Sequence, residues 1–237
     1  MLSGQTLLAV VPARGGSKGV PLKNIHPLAG KPLVAHAADV IRACGWFDKA
    51  VVSTDEPRIA DIARAAGLEV PFLRPAEISG DRIGDWDVLA HALQETERLA
   101  GVQYDVVVML QPTSPLRRVE HVHQTIERLI DGGWDAVWTV SATPLKYHPF
   151  KQLTMSEAGQ LRLVDPRGQG IIARQQLTPV YHRNGIAYAF TRRTILDYRT
   201  LLPERATALV LDGEFVSIDT IADFADVESV MRRSEAR

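Results

Sequence analysis

Three cations, Arg14, Lys18 and Lys23, fall on one short stretch of this chain, VVPARGGSKGVPLKN at residues 10–24, interleaved with Gly15, Gly16 and Gly19. A backbone opened by glycine can wrap closely around phosphate oxygens, so that N–H groups and cationic side chains meet the same negative charge. A structural turn accounts for one or two of these glycines, but not for the density of cations beside them. Surface Lys and Arg on a tight turn is the plainer alternative. The loop matches neither G-x-x-x-x-G-K-[ST] nor G-x-G-x-x-G, which counts against kinase, ATPase and nicotinamide-enzyme readings. Arg14 and Lys18 suit a triphosphate, neutralising charge as it builds on a leaving group. Lys23 can contact phosphate or organise the loop, and Asn24 can bond to ribose, ligand or backbone.

A second stretch, VVVMLQPTSPLR at residues 106–117, also turns abruptly from apolar to polar. Gln111, Thr113 and Ser114 suit recognition of an uncharged base, ribose or sugar, and are weak nucleophiles without an adjacent base. Arg117 is either an anion-binding group or a surface residue at a helix start. Asp55, directly after the apolar VVS, is a helix cap, part of the polar site, or both. Arg74 and Asp81 in LRPAEISGD either shape the floor of a ligand site or form a structural pair. Asp219 is the best carboxylate for magnesium, which accepts one carboxylate together with phosphate and retained water. For Asp223, capping or a surface position outweighs ligation. Arg183, in HRNG at 182–185, can bind an anion. The histidines have no compact metal-ligand spacing, and no Cys/His pair or protein-only base announces hydrolysis.

These residues need elements to position them. Leu7–Val11 reads as a compact apolar strand. Leu33, Ala37, Val40 and Ile41 then recur at helical spacing, with Pro32 suited to a first helical position and Gly45 to the end. Ala50–Ser53 is a short strand, after which Thr54 or Asp55 can cap a helix framed by Pro57 and Gly67. Residues 85–99 and 119–130 read as helices, and Tyr104–Leu110 and Ala136–Val140 as strands. Short apolar strands alternating with helices predict an α/β fold, a mostly parallel central sheet with helices on both faces. Ligands in such sheets bind beyond the carboxyl ends of the strands, where Pro12–Lys23, Ser53–Asp55 and Gln111–Arg117 are expected to meet.

Residues 141–183 break this rhythm with Pro144, Pro149, Pro166, Pro179 and several glycines. They read as an arm or lid holding short β-like pieces such as Gln160–Val164, and carrying Lys146, Lys151 and Arg174. The chain returns with a strand at Gly185–Phe190. Phe215–Ile218 reads as a strand leading to Asp219, and Thr220 as the cap of a final helix containing Phe224, Val227 and Val230.

A length of 237 residues suits one domain spanning 1–237 with an inserted arm. Its 27 basic and 28 acidic residues give no global pull toward nucleic acid or an anionic membrane. The apolar runs are strand-length, residues 1–6 are too short and uncharged for a signal peptide, and the single Cys44 reads as a core thiol. A cytoplasmic enzyme is the expectation.

In combination, PARGGSKGVPLKN, VVSTDE, RPAEISGD, LQPTSPLR, HPFK, RQQLTPVYHRNG and SIDT resemble the acylneuraminate cytidylyltransferases and their bacterial relatives acting on sialic-acid-like nonulosonates. The segments occur in family order and cover most of residues 7–230. The resemblance implies a magnesium-dependent transferase in a homodimer, joining CTP to the anomeric C2 hydroxyl of an acidic nine-carbon sugar and releasing pyrophosphate. It implies Arg14, Lys18 and Asp219 as catalytic residues, with Ala13, Arg14, Gly15, Lys18, Lys23, Asn24, Asp81 and Gln111 at the nucleotide. Gln111, Thr113, Lys151, Arg174 and Arg183 are implied at the sugar, with Lys151 offered to the neighbouring subunit's site and Arg183 suited to the sugar carboxylate. Residues 141–183 would be the dimerisation excursion, and Asp219 the metal ligand. Ser217 stands where family members often carry the first aspartate of Asp-Ile-Asp-Thr, leaving less negative charge for magnesium. Transfer to another sugar acid or sugar phosphate is the enzyme alternative, and a non-enzymatic nucleotide sensor is the alternative of a different class. The residues do not choose a general base, nor which nonulosonic acid is used.

Overall fold

Leu7–Pro12 reads LLAVVP, and in the computed structural model it forms strand β1, with Leu7 to Val11 completely buried. Such a run fits a strand covered on both faces. Leu7, Ala9 and Val11 point into one core layer and Leu8 and Val10 into the other, following the two-residue period of a strand. The structure describes residues 2–235; positions 1, 236 and 237 of the expected single domain lie outside the described residues.

The main sheet contains β1, β4 (Lys49–Ser53), β5 (Val106–Met109), β6 (Ala136–Ala142), β9 (Tyr181–Thr191) and β10 (Ala206–Val210), in the order β10-β6-β9-β5-β1-β4. β1 pairs parallel with β4 and β5, placing Val10 opposite Val51 and Ala9 opposite Val108. β6 and β10 are also parallel, whereas β9 runs antiparallel to both β5 and β6. Helices α1 (Leu33–Cys44), α2 (Pro57–Ala65) and α4 (Val119–Asp131) cover one face, and α3 (Asp85–Ala100) with the short α5 (Arg192–Leu196) covers the other. The expected α/β architecture is therefore present, with helices on both faces of a mixed, mainly parallel sheet. The remaining strands are two small hairpins, β2 (Pro27–Leu28) with β3 (Lys31–Pro32), and β7 (Leu153–Met155) with β8 (Leu161–Leu163). The second hairpin lies in the segment that leaves the sheet between β6 and β9. Among the described residues, no helix is long and apolar enough to cross a membrane. Cys44 is buried, and that burial raises its thiol pKa.

Several local expectations need correction. Phe215–Ile218 is not a strand: Ile218 N–H donates to Thr113 O at 2.9 Å, and Ile218 packs with Val20, Leu28, Leu33, Phe224 and Val227. Its apolar pattern serves this small core, while the strand at that edge of the sheet is β10, four half-covered residues and the exposed Val210, with little sequence signature. Pro32 precedes α1 in the cap position, in extended conformation. Glu56, rather than Thr54 or Asp55, caps α2 by accepting from Arg58 N–H. The final helix, α6 (Ile221–Glu235), does follow Thr220, but the capping carboxylate is Asp223, whose Oδ2 accepts from Asp219 N–H and Thr220 N–H at 2.7 Å each.

Candidate active site

The site begins at the carboxyl end of β1, where the chain turns into the glycine loop. Ala13 N–H donates to Ser53 O at 3.0 Å, which keeps the loop's first residue on the sheet. Gly15 N–H donates to Asp55 Oδ1 at 2.9 Å, and the amide of buried Asn24 donates to Arg14 O at 3.0 Å. Asp55 thus ties the end of β4 to the loop after β1, which is why it does not cap a helix. Gly19 is required by close approach: a Cβ there would lie 2.3 Å from Asp219 O.

The loop's cations converge on carboxylates. Arg14 Nη1 lies 3.0 Å from Asp81 Oδ1, and Lys18 Nζ lies 2.5 Å from Asp81 Oδ2. Hydrogen bonding from Lys18, with the charge of both cations, holds the Asp81 carboxyl below its usual range. Lys23 Nζ donates to Ile218 O at 2.7 Å and Asp219 Oδ1 at 2.9 Å, anchoring the segment before α6 against the loop. Arg74 does not pair with Asp81. It is buried, its guanidinium lies 3.7 Å from Asp55 Oδ1, and its Nε donates to Ser79 Oγ at 3.2 Å. Burial pushes the Arg74 pKa down, partly offset by Asp55.

Between these groups lies a cleft of about 500 Å³, whose walls include Arg14, Lys18, Lys23, Asn24, Arg74, Asp81, Gln111 and Thr113. Asp219 stands at its edge. Arg117 belongs beneath the cleft and is neither an anion-binding group nor a surface residue. It is buried and donates to the carbonyls of Gln111 at 2.8 Å, Gly185 at 3.1 Å and Ile186. Burial pushes its guanidinium down to about 9, still charged at neutral pH. Gly185, at φ +73°, lets β9 pass over this turn; a Cβ would lie 2.1 Å from Ser114 Oγ.

A second cavity of about 810 Å³ opens beside the first, walled by Trp86, Trp138, Val140, Leu201, Leu202 and Ala208, with Arg183 and Arg199 among its polar groups. The Arg183 guanidinium sits 5.4 Å from the centre of the Trp138 ring. Asp85, the first residue of α3, lines both cavities. Burial pushes its carboxyl pKa up, with Arg183 acting in the opposite direction.

Of the residues expected at the site, Arg14, Lys18, Lys23, Asn24, Asp81, Gln111, Thr113 and Asp219 line one cleft, with Ala13 and Gly15 in its loop. Arg183 lines the adjoining cavity. Lys151 and Arg174 line neither: they lie in exposed 3-10 turns at Pro149–Lys151 and Arg174–Gln176. Asp85 escaped the sequence reading, its signal being a carboxylate after Gly84 at the start of an amphipathic helix, just beyond RPAEISGD. Asp55 and Arg74 were named without their partnership. Among the described residues, no group of three or more His, Cys, Asp or Glu side chains could hold a metal. One exposed carboxylate, Asp219, with one oxygen on Lys23 and beside a cleft of about 500 Å³, fits magnesium that arrives with a nucleotide and keeps its waters. It does not fit a metal held by the protein alone.

Residues 8–222 match the family model described as Cytidylyltransferase. The chain is 33% identical over 232 residues to a CMP-N,N'-diacetyllegionaminic acid synthase from Legionella pneumophila, covering 97% of each protein. It is 30% identical to a pseudaminic acid cytidylyltransferase from Campylobacter jejuni, covering 91% of this chain and 92% of that protein. An N-acylneuraminate cytidylyltransferase from Streptococcus agalactiae is 33% identical over 93% of this chain and 52% of its own length. Among solved structures, CMP:2-keto-3-deoxy-manno-octonic acid synthetase complexed with CTP superposes with a TM-score of 0.71 at 18% identity, covering 97% of this chain and 99% of that one. That likeness bears on the fold, whereas the matches along nearly the whole sequence bear on descent. The chain belongs to the acylneuraminate and nonulosonate cytidylyltransferase family.

Proposed function

We propose that this chain transfers CMP from CTP to the anomeric hydroxyl of a sialic-acid-like nonulosonic acid, releasing pyrophosphate. The observation that carries this reading is the convergence of Arg14 and Lys18 on Asp81 in the cleft, beside a second cavity that holds Arg183. The triphosphate takes the place of Asp81 on these two cations, which then stabilise charge developing on the departing pyrophosphate. Gln111 and Thr113 offer neutral polar groups at the strand end. The sugar occupies the second cavity, its carboxylate on Arg183 and its acyl substituents against Trp86, Trp138, Leu201 and Leu202. Holding both reactants across one wall supplies the positioning on which group transfer depends. Magnesium bound with the triphosphate would be held by Asp219 and would neutralise phosphate charge.

The arm is proposed to form a homodimer contact and to carry Lys151 and Arg174 toward the partner's site. Leu153, Met155, Leu161 and Ile172 are all exposed on it, Ile172 at 94%, which is unusual apolar exposure for one short segment.

The test is pyrophosphate release with each nucleoside triphosphate against N-acetylneuraminic, legionaminic and pseudaminic acids, with product mass determined. CTP with at least one acid should yield the CMP-sugar, and an analogue lacking the carboxylate should be a poor substrate. Equal use of that analogue contradicts the Arg183 assignment.

A further inference from the structure

The transfer requires a group that takes the proton of the attacking hydroxyl, and the chain offers few choices. Three carboxylates line the nucleotide cleft: Asp81, Asp85 and Asp219. Asp81, which gives up Arg14 and Lys18 to the triphosphate, lines the nucleotide cleft and not the second cavity, and Asp219 is held by Lys23 at 2.9 Å and also lies outside the second cavity, so neither faces the sugar. No histidine lines either cavity among the described residues. Asp85 differs in place and surroundings. It alone of the three also lines the second cavity, so its carboxylate stands at the wall where a sugar hydroxyl and a nucleotide phosphate would meet.

We propose that Asp85 is the catalytic base that accepts the proton of the sugar's anomeric hydroxyl; this rests on the acid-sugar reading above. In the step, the hydroxyl oxygen forms a bond to the α-phosphorus. The bond from that phosphorus to the oxygen bridging to the β-phosphorus breaks, and pyrophosphate leaves with the electron pair. The hydroxyl proton passes to the Asp85 carboxylate and from there to water. Burial raises the basicity of Asp85, in the direction a proton acceptor needs. The charged and titratable groups sharing its surroundings are Arg183 and Tyr188 on β9, Arg199 beyond α5, and Arg14, Lys18, Lys23, Arg74, Asp81 and Asp219 in the nucleotide cleft. Arg183 opposes the upward shift, and its pairing with a sugar carboxylate would relax that opposition.

The experiment compares the unmutated protein with Asp85→Asn in pyrophosphate release from CTP and acid sugar across pH, alongside melting temperature and CTP affinity. The ionised base must be present, so the unmutated rate should fall as pH drops through an apparent pKa above the ordinary carboxylate value of about 3.9. In Asp85→Asn, kcat should drop by about a hundredfold or more and this acid limb should disappear. CTP affinity should change by less than about threefold, with the loss in kcat rather than KM. A burial-raised carboxyl opposes folding when ionised, so the melting temperature at neutral pH should be unchanged or higher. An Asp85→Asn protein with near-normal kcat, or a loss confined to KM with the acid limb intact, overturns the assignment while leaving the acid-sugar reading standing. An unmutated protein that uses none of the acid sugars overturns that reading and the base with it.

Discussion

Arg14 Nη1 lies 3.0 Å from Asp81 Oδ1, and the other oxygen of that carboxylate holds Lys18, so one aspartate occupies both cations proposed for the triphosphate. The carboxylate is partly exposed, so solvent screening keeps the contact weak enough to exchange for a polyanion. Asp81→Asn is expected to tighten CTP binding severalfold in the absence of magnesium, because no carboxylate then competes. Titration calorimetry reads this directly. Weaker binding would mean that Asp81 contributes to nucleotide recognition rather than occupying its place.

Lys23 and Asp219 should act as one unit, since the ammonium holds both the Asp219 carboxylate and Ile218 O. Lys23→Ala and Asp219→Asn are each expected to weaken productive use of magnesium. The double variant should lose much less than the sum of the two, with a coupling of about 0.5–3 kcal/mol in kcat/KM. Additive losses in the magnesium titration would separate the residues.

Arg117 is predicted to carry stability rather than turnover. It donates to the carbonyls of Gln111, Gly185 and Ile186; truncation removes this donor from the buried Gly185 and Ile186 carbonyls, while Gln111 O keeps Ser114 N–H at 3.2 Å. Arg117→Ala should cost about 3–5 kcal/mol in urea unfolding. A loss below about 1 kcal/mol would show that the turn does not depend on this guanidinium.

Asp223 links the start of α6 to acid stability. Its carboxyl is held below the usual range by hydrogen bonds from the backbone of Thr220 and then Asp219. A depressed pKa gives stability that is present above the unfolded-state value, about 4, and lost as pH falls through the folded-state value. Asp223→Ala should cost about 0.5–2 kcal/mol at neutral pH and flatten the acid limb of melting temperature against pH. An unchanged acid limb would contradict this.

The sheet was legible because its inner strands are nearly uniform apolar runs: Leu7–Val11 and Val106–Met109 cannot be satisfied without burial on both faces. The glycine loop was legible because its cations are close in sequence. Phe215–Ile218 misled because a loop that fills a small core has the apolar pattern of a short strand, whereas β10 is a half-covered edge. Arg117 and Asp55 were visible as charges, but their roles depend on carbonyls and amides contributed by distant segments. Asp85 was hidden for a related reason: its meaning comes from two cavities meeting at one helix start.

Kinetics of Arg14→Ala test the central claim most directly. The measurement is pyrophosphate release from CTP with an acid sugar, set beside melting temperature for both proteins. The account predicts sugar-dependent release by the unmutated chain and a loss in the variant of about a hundredfold or more in kcat or kcat/KM, with little change in melting temperature. Near-normal turnover by the Arg14→Ala protein would contradict it.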